Sequence, residues 1–212
     1  MKRITPLLIT LLVLFSLTVS AQKKEQIKEI KRKAVKEARK EAKNFKNQGF
    51  YVSPGSLPME KQLENSWARQ YEADEKGFPL YIVASGNSVA NAQTAAKLQS
   101  TETAKLELAG TISTNVAAII ESSIANQQLS ADDAASITKT VAASKNIIAQ
   151  ELGRVITLFE IYRKVGKDNI ESNVRMAYNT EMAMEIGKKI IRKKLEEETT
   201  ILHEKLDKLL NF

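Results

Sequence analysis

Residues 153–179 read GRVITLFEIYRKVGKDNIESNVRMAYN. In the second half, Ile170, Ser172, Val174, Met176 and Tyr178 alternate with Glu171, Asn173 and Arg175. Successive side chains of a strand point to opposite faces, so this period of two predicts a half-buried strand. The run at 155–165 is its partner, and GKDN supplies the turn between them. Pairing Val165 with Ile170 sets Ile161 opposite Val174, Phe159 opposite Met176 and Arg163 opposite Ser172, which leaves one apolar face.

Helical patterns flank this hairpin. After it, Asn179 or Thr180 caps a helix with Glu181 and Glu185 in its early turns and KKIIRKK beyond. The pattern continues through LEEETTILHEKLDKLLNF, with Leu195, Leu202, Leu206 and Leu209 on one side. That row is too short for a coiled coil, so it is expected to pack on the protein, against the N-terminal helix. Before the hairpin, residues 89–126 carry Ala95, Leu98, Leu106, Ala109, Ile112, Val116, Ile119 and Ile120 at helical steps. Gly110 weakens that helix by about 1 kcal/mol relative to Ala. NQQLSADD interrupts it, with Ser130 and Asp133 at capping-box spacing and Asp132 suited to the positive helix end. A second helix turns Ala134, Ile137, Val141, Ile148 and Leu152 inward, and the two helices form an antiparallel hairpin.

A third strand precedes them in FPLYIVASG, residues 78–86, between Pro79 and Gly86. Strand, glycine and helix start in LYIVASGNSVAN pose a choice between a ligand-binding turn and a structural corner. A dinucleotide site needs GxGxxG, and a single glycine stands here, although amides at a helix start can hold an anion. The structural reading has Gly86 permitting the turn while Asn87 or Ser88 caps the helix.

Further upstream, GFYVSPGSLP stops any helix through Gly49, Pro54, Gly55 and Pro58. A short helix follows with Leu63, Trp67 and Tyr71 at four-residue spacing, ended by Gly77, and Trp67 is read as core packing. Residues 22–48 form a basic amphipathic helix whose narrow stripe is Ile27, Ile30, Ala34, Ala38 and Phe45. Glu25, Glu29, Glu37 and Glu41 are expected to pair with lysines of the same helix, worth a few tenths of a kcal/mol per pair at three- or four-residue spacing. Two readings stand open: a solvated helix docked by a thin edge, and an electrostatic arm for an anionic partner.

Charge is unevenly placed. The net +7 comprises +2 from Lys2 and Arg3, +7 from residues 22–48, and −2 from Gly49 onward. A near-neutral globular part argues against a nucleic-acid-binding fold, whose basic charge covers the domain face. Lys2 and Arg3, the apolar run from Leu7 to Leu17, and Val19-Ser20-Ala21 have the form of a signal peptide, residues 1–21, cleaved after Ala21. The apolar core is shorter than the roughly 20 residues that span a bilayer, so no transmembrane segment is expected after its removal. Without cysteine, the chain has no disulfide, thiolate metal site or lipid-acceptor cysteine.

Little in the chain reads as catalytic chemistry. The single histidine, His203, lies on a helix of alternating charge, and HExxH, Walker and GxSxG motifs are absent. Asp132 and Asp133 read as capping, and Glu196 to Glu198 as a solvated face. A glycosidase pair would have to come from tertiary contact. No catalytic, cofactor-binding or metal-binding residues are therefore assigned.

The stretch YIVASGNSVANAQTAAKLQSTETAKLELAGTI resembles the LPP-twenty lipoprotein family of bacterial envelope proteins. The resemblance rests on a strand ending near glycine, an Ala-rich helix, and a loosely spaced A(K/R)xxLA element at Ala104 to Ala109. It extends over about residues 78–190, through the later strands and YNTEMAMEI. The whole chain is similar to exported proteins of Bacteroidetes-type bacteria in its KEARKEAK helix and LPMEKQLENSW lead-in. The resemblance implies an α+β envelope domain, sometimes tied to surface or motility structures, with no catalytic residues to carry over. The missing lipobox cysteine favours a periplasmic form or one peripherally associated with the outer membrane.

The expectation is an α+β fold: a small, mainly antiparallel sheet of about three strands on a long helical hairpin and a C-terminal helix, with the basic N-terminal helix beside it. Residues 49–77 supply a loop and short helix, and 78–212 the α+β domain. The expected function is non-enzymatic: an exported cell-envelope protein that binds or scaffolds other envelope proteins or an anionic envelope surface through its basic helix. A periplasmic holdase and a carboxylate-dependent glycan hydrolase are the alternatives.

Overall fold

The computed structural model describes residues 5–124, 131–198 and 210, with side-chain surroundings for residues 25, 27–123, 134–197 and 210. Its elements run α1 (Thr5–Asn47), α2 (Met59–Tyr71), β1 (Tyr81–Ala90), α3 (Gln93–Ile124), α4 (Ala131–Ala143), α5 (Lys145–Glu151), β2 (Ile156–Val165), β3 (Asn169–Asn179) and α6 (Thr180–Glu198). The three strands form an antiparallel sheet in the order β1-β3-β2. The α+β architecture is as the sequence predicts. Among the described residues no helix is long and apolar enough to cross a membrane.

The central strand differs from expectation in one respect. Val174, Met176 and Tyr178 enter a core shared with α3, α4, α5 and α6, while Ala177 enters a second core built from Ala38, Ala42, Phe50, Met59, Leu63, Leu158, Phe159 and Ile161. Strand β3 is thus covered on both faces, by α3 on one side and by α1 with α2 on the other, rather than half-buried. Its polar residues mislead because they are paired instead of solvated. Glu171 is buried, and it accepts hydrogen bonds from Asn87 on β1 (2.7 Å) and from the Arg163 guanidinium on β2.

The hairpin register is one residue from the predicted one. Lys164 pairs with Ile170, Arg163 with Glu171, Ile161 with Asn173 and Phe159 with Arg175. The turn uses only residues 166–168, with Gly166 at φ +65°, so Asn169 joins the ladder opposite Val165. Gly166, the first residue of this loop, adopts the left-handed conformation at no steric cost. An irregularity between Thr157 and Phe159 then takes up Leu158 as an extra residue, and Thr157 opposes Met176.

Strand β1 also differs, and here the sequence reading of Gly86 is corrected. The strand continues through Gly86 to Ala90, with Gly86 opposite Val174, and α3 begins only at Gln93. Asn87 and Ser88 are strand residues, not helix caps: Asn87 bonds Glu171, and Ser88 donates to the Ala96 carbonyl (2.7 Å). Gly86 is required by proximity. A Cβ built there would lie 1.9 Å from the Ser100 carbonyl oxygen and 2.5 Å from the Ala104 nitrogen.

That contact explains which face of α3 is buried. The buried line runs Ala96, Ser100, Ala104, Leu108, Ile112, Val116 and Ile120, at four-residue steps, whereas Leu98 and Leu106 from the predicted stripe are exposed. Small residues at the helix start let its backbone lie on the sheet at Gly86. Ser100 and Ser172 share a buried hydroxyl–hydroxyl hydrogen bond of 2.8 Å in this contact.

The returning limb is two helices rather than one. It breaks at Ser144, whose hydroxyl donates to the Thr140 carbonyl (2.8 Å). Ser113 on α3 donates to the Val141 carbonyl (3.0 Å), and Ile137, Val141, Ile148 and Leu152 are buried as predicted. Helix α6 starts as expected, with Asn179 Oδ1 accepting from the Met182 amide (3.0 Å). It packs on α3, where Gly187 lies against Ile112 and Val116. Leu195 is buried with α3, α4 and α5, on the face of the sheet opposite α1, so its expected packing on the N-terminal helix does not occur. The Ser130 capping box, the side chains of Asp132 and Asp133, His203, and the leucines at 202, 206 and 209 lie outside the described residues.

Tyr162 on β2 yields a pH prediction. It is fully buried and donates to Glu160 (2.6 Å); burial first, and then the Glu160 carboxylate, push its phenol well above the ordinary tyrosine range. A pKa raised by folding keeps the neutral form native, so stability is full below the unfolded value near 10.0 and falls as pH rises beyond it. Thermal melts at pH 9 to 11.5 are expected to show a steeper alkaline loss for the native chain than for Tyr162→Phe; parallel curves would contradict this.

Candidate functional site

Helix α1 is docked by a stripe of small residues. Ala34, Ala38 and Ala42 are buried and Phe45 is half-buried, at three- and four-residue steps. Phe45 meets Phe50 (5.2 Å, edge-on) and Phe159 (5.3 Å), which fixes the helix end against β2. Toward the N-terminus contact thins, and Ile27 is 57% exposed. The predicted stripe is therefore right from Ala34 onward, and the helix lies on the domain.

One ion pair ties this helix to the sheet. Glu41 was expected to pair along its own helix; instead its carboxylate takes Arg175 Nη2 at 2.7 Å and Trp67 Nε1 at 2.7 Å. The Arg175 guanidinium also reaches Ser66 Oγ (3.1 Å) and Ser85 Oγ (3.3 Å), and lies over the rings of Phe159 and Trp67. The Glu41 and Arg175 side chains are only 21% and 15% exposed. A single constellation thus joins α1, α2, β1 and β3. Trp67 is half-buried within it and stacks on Tyr71 (5.7 Å), consistent with its predicted packing role. Lys46 pairs with Glu60 at the start of α2 and holds that carboxyl below its usual range.

With Ala34, Ala38 and Ala42 facing inward, the cations face out. Lys28, Lys31, Arg32, Lys33, Lys36, Arg39, Lys40, Lys43 and Lys46 are all exposed. Lys33 is paired with Glu29 (2.9 Å) and Lys46 with Glu60. Among the described residues, the other seven form no ion pair. Arg32, Lys36, Arg39 and Lys43 follow at four-, three- and four-residue steps, so they form one row on the side away from the alanine stripe. A half-open groove of about 490 Å³ adjoins this row at Lys43, lined by Lys40, Lys43, Asn44, Asn47 and Trp67 together with the carboxylates Glu37 and Glu41.

A second depression of about 660 Å³ lies between α2 and the β2 edge, and brings Glu72 and Glu160 to one groove. A carboxylate-pair hydrolase would need such a place. Each acid is already engaged there, Glu72 by Arg69 (2.8 Å) and Glu160 by Lys97 (2.8 Å) and the Tyr162 hydroxyl. The Gly86 junction offers no ligand turn, because α3 lies directly on it. Compared with family models, with curated proteins and with solved structures, the chain matches none.

Proposed function

We propose that the protein is an exported, non-enzymatic component of the bacterial cell envelope that attaches to an anionic surface through the outward face of α1. The observation that supports this reading is the row of exposed cations opposite a buried alanine stripe. Packing fixes the helix on its inner side, so the backbone that carries the cations needs no ordering on binding. Each Lys or Arg near an anionic leaflet contributes about 1 kcal/mol, screened within a Debye length of about 8 Å at physiological salt.

Removal of residues 22–48 would not test the idea, since Ala38 and Ala42 belong to the second core. Binding of the full chain, purified as the producing bacterium leaves it, to vesicles of differing charge does. Retention on phosphatidylglycerol vesicles and peptidoglycan sacculi at 50 mM salt is expected, falling at least about tenfold by 300 mM, with none on phosphatidylcholine. Equal binding to neutral vesicles, or binding insensitive to salt, would contradict the proposal.

A further inference from the structure

We infer that β1 is an interaction edge, and that its partner is the β1 strand of a second copy of this chain. Strand β1 is at the margin of the sheet, paired along ten residues with β3 on one side, and no strand pairs with its other side among the described residues. Soluble proteins guard such edges with lysine, proline, bulges or a covering element. Strand β1 has none of these devices: YIVASGNSVA contains no charge and no proline, and its register with β3 is unbroken. Ser85, Asn87 and Val89 are exposed along it, Val89 at 49%. The opposite edge is guarded, since Tyr51 pairs with Tyr162 and the Gln62 side chain accepts from the Glu160 amide.

Two features select a second copy. A two-fold axis sets the residue at its centre against itself, which a charged residue would oppose, and Ser85, Gly86 and Asn87 at mid-strand are small and neutral. Antiparallel pairing centred on Ser85 also sets Tyr81 against Val89, so an aromatic ring of one copy covers the exposed valine of the other. Directly opposed residues of antiparallel strands lie on the same face, so the two copies share faces across a continuous six-stranded sheet. Both α1 helices then lie on one side, and two cationic rows address one surface. That consequence rests on the function proposed above, whereas the dimer itself does not.

The chain has no cysteine, so introduced ones report unambiguously. With the full chain purified as the producing bacterium leaves it, mild oxidation of Ser85→Cys is expected to give a disulfide-linked dimer. Lys164→Cys, on the guarded edge, should give none. In sedimentation equilibrium the native chain should show a concentration-dependent dimer, and Ser85→Lys should raise its dissociation constant roughly tenfold or more. Because the Ser85 hydroxyl also accepts from Arg175, Val89→Lys, whose side chain is exposed, is the second edge variant and should weaken the dimer at an unchanged melting point. A native chain monomeric at all concentrations, a dimer unaffected by charge on β1, or cross-linking through Lys164→Cys would each overturn the inference. Charge substitutions on α1 should leave the dimer intact while weakening vesicle binding, so failure of the dimer and failure of the surface reading are separable.

Discussion

Gly86→Val is expected to lower the stability of the fold by about 3 kcal/mol or more, and Gly86→Ala by nearly as much. The reason is that the obstruction is met by Cβ itself. It falls 1.9 Å from the Ser100 oxygen and 2.5 Å from the Ala104 nitrogen, both backbone atoms of α3. A flexible side chain can move aside, but a helix backbone cannot without leaving the sheet. If strand propensity governed the position, the sign would reverse, because valine favours strands and glycine weakens them. Against a typical total of 5–15 kcal/mol, the loss corresponds to a melting point lower by roughly 6–12 °C, or to failure to fold. Thermal or urea denaturation of the two variants decides the matter. A valine variant as stable as the native chain would show that α3 does not press on the strand.

Glu41→Ala should destabilise by about 2–3 kcal/mol. The substitution leaves Arg175 largely enclosed, with Ser66 and Ser85 hydroxyls as its remaining partners, and removes the acceptor of the Trp67 indole. Breaking a fully buried pair costs about 3–5 kcal/mol, and the partial exposure of these side chains reduces that figure. The effect belongs to the pair. Arg175→Met combined with Glu41→Leu removes both charges and fills the space, and should cost less than the sum of the single changes by about 1 kcal/mol or more. Additive losses in a urea-denaturation cycle would mean that α1 is held by its alanine stripe alone.

The sequence discloses patterns better than proximities. Alternation along Ile170, Ser172, Val174, Met176 and Tyr178 is a local period, and it places β3 correctly together with the sheet's three-strand, antiparallel character. Asn179 as a cap is local too. By contrast, the role of Gly86 depends on a helix that lies on the strand, and a glycine in a strand looks from sequence like its end. Leu98 and Leu106 outrank Ala96, Ser100 and Ala104 in hydrophobicity, yet the small residues are buried because the helix must come close. Glu41 has no lysine three or four positions away on its own helix, and nothing local signals a partner 134 positions away. The one-residue register difference arises from a loop of three rather than four residues.

As to the candidate site, the row Arg32, Lys36, Arg39 and Lys43 was legible as charge but not as a surface. Whether a basic helix is an arm or a docked face depends on what its thin stripe meets. Alanine at 34, 38 and 42 scores weakly as an apolar stripe, but it permits the close approach seen against α2 and the sheet. Docking and attachment are therefore compatible, since they use opposite sides of one helix.

The most direct test neutralises that outer side alone. Arg32→Gln, Lys36→Gln and Lys43→Gln together alter no residue of either core and no ion pair among the described residues. The triple variant should keep the native melting point and bind phosphatidylglycerol vesicles roughly 100-fold more weakly, as about 3 kcal/mol of surface attraction is lost. Lys167→Gln, Lys189→Gln and Lys193→Gln, which remove the same charge elsewhere, should change binding less than about threefold. Equal losses from the two triple variants, or unchanged binding in the first, would contradict attachment through helix α1.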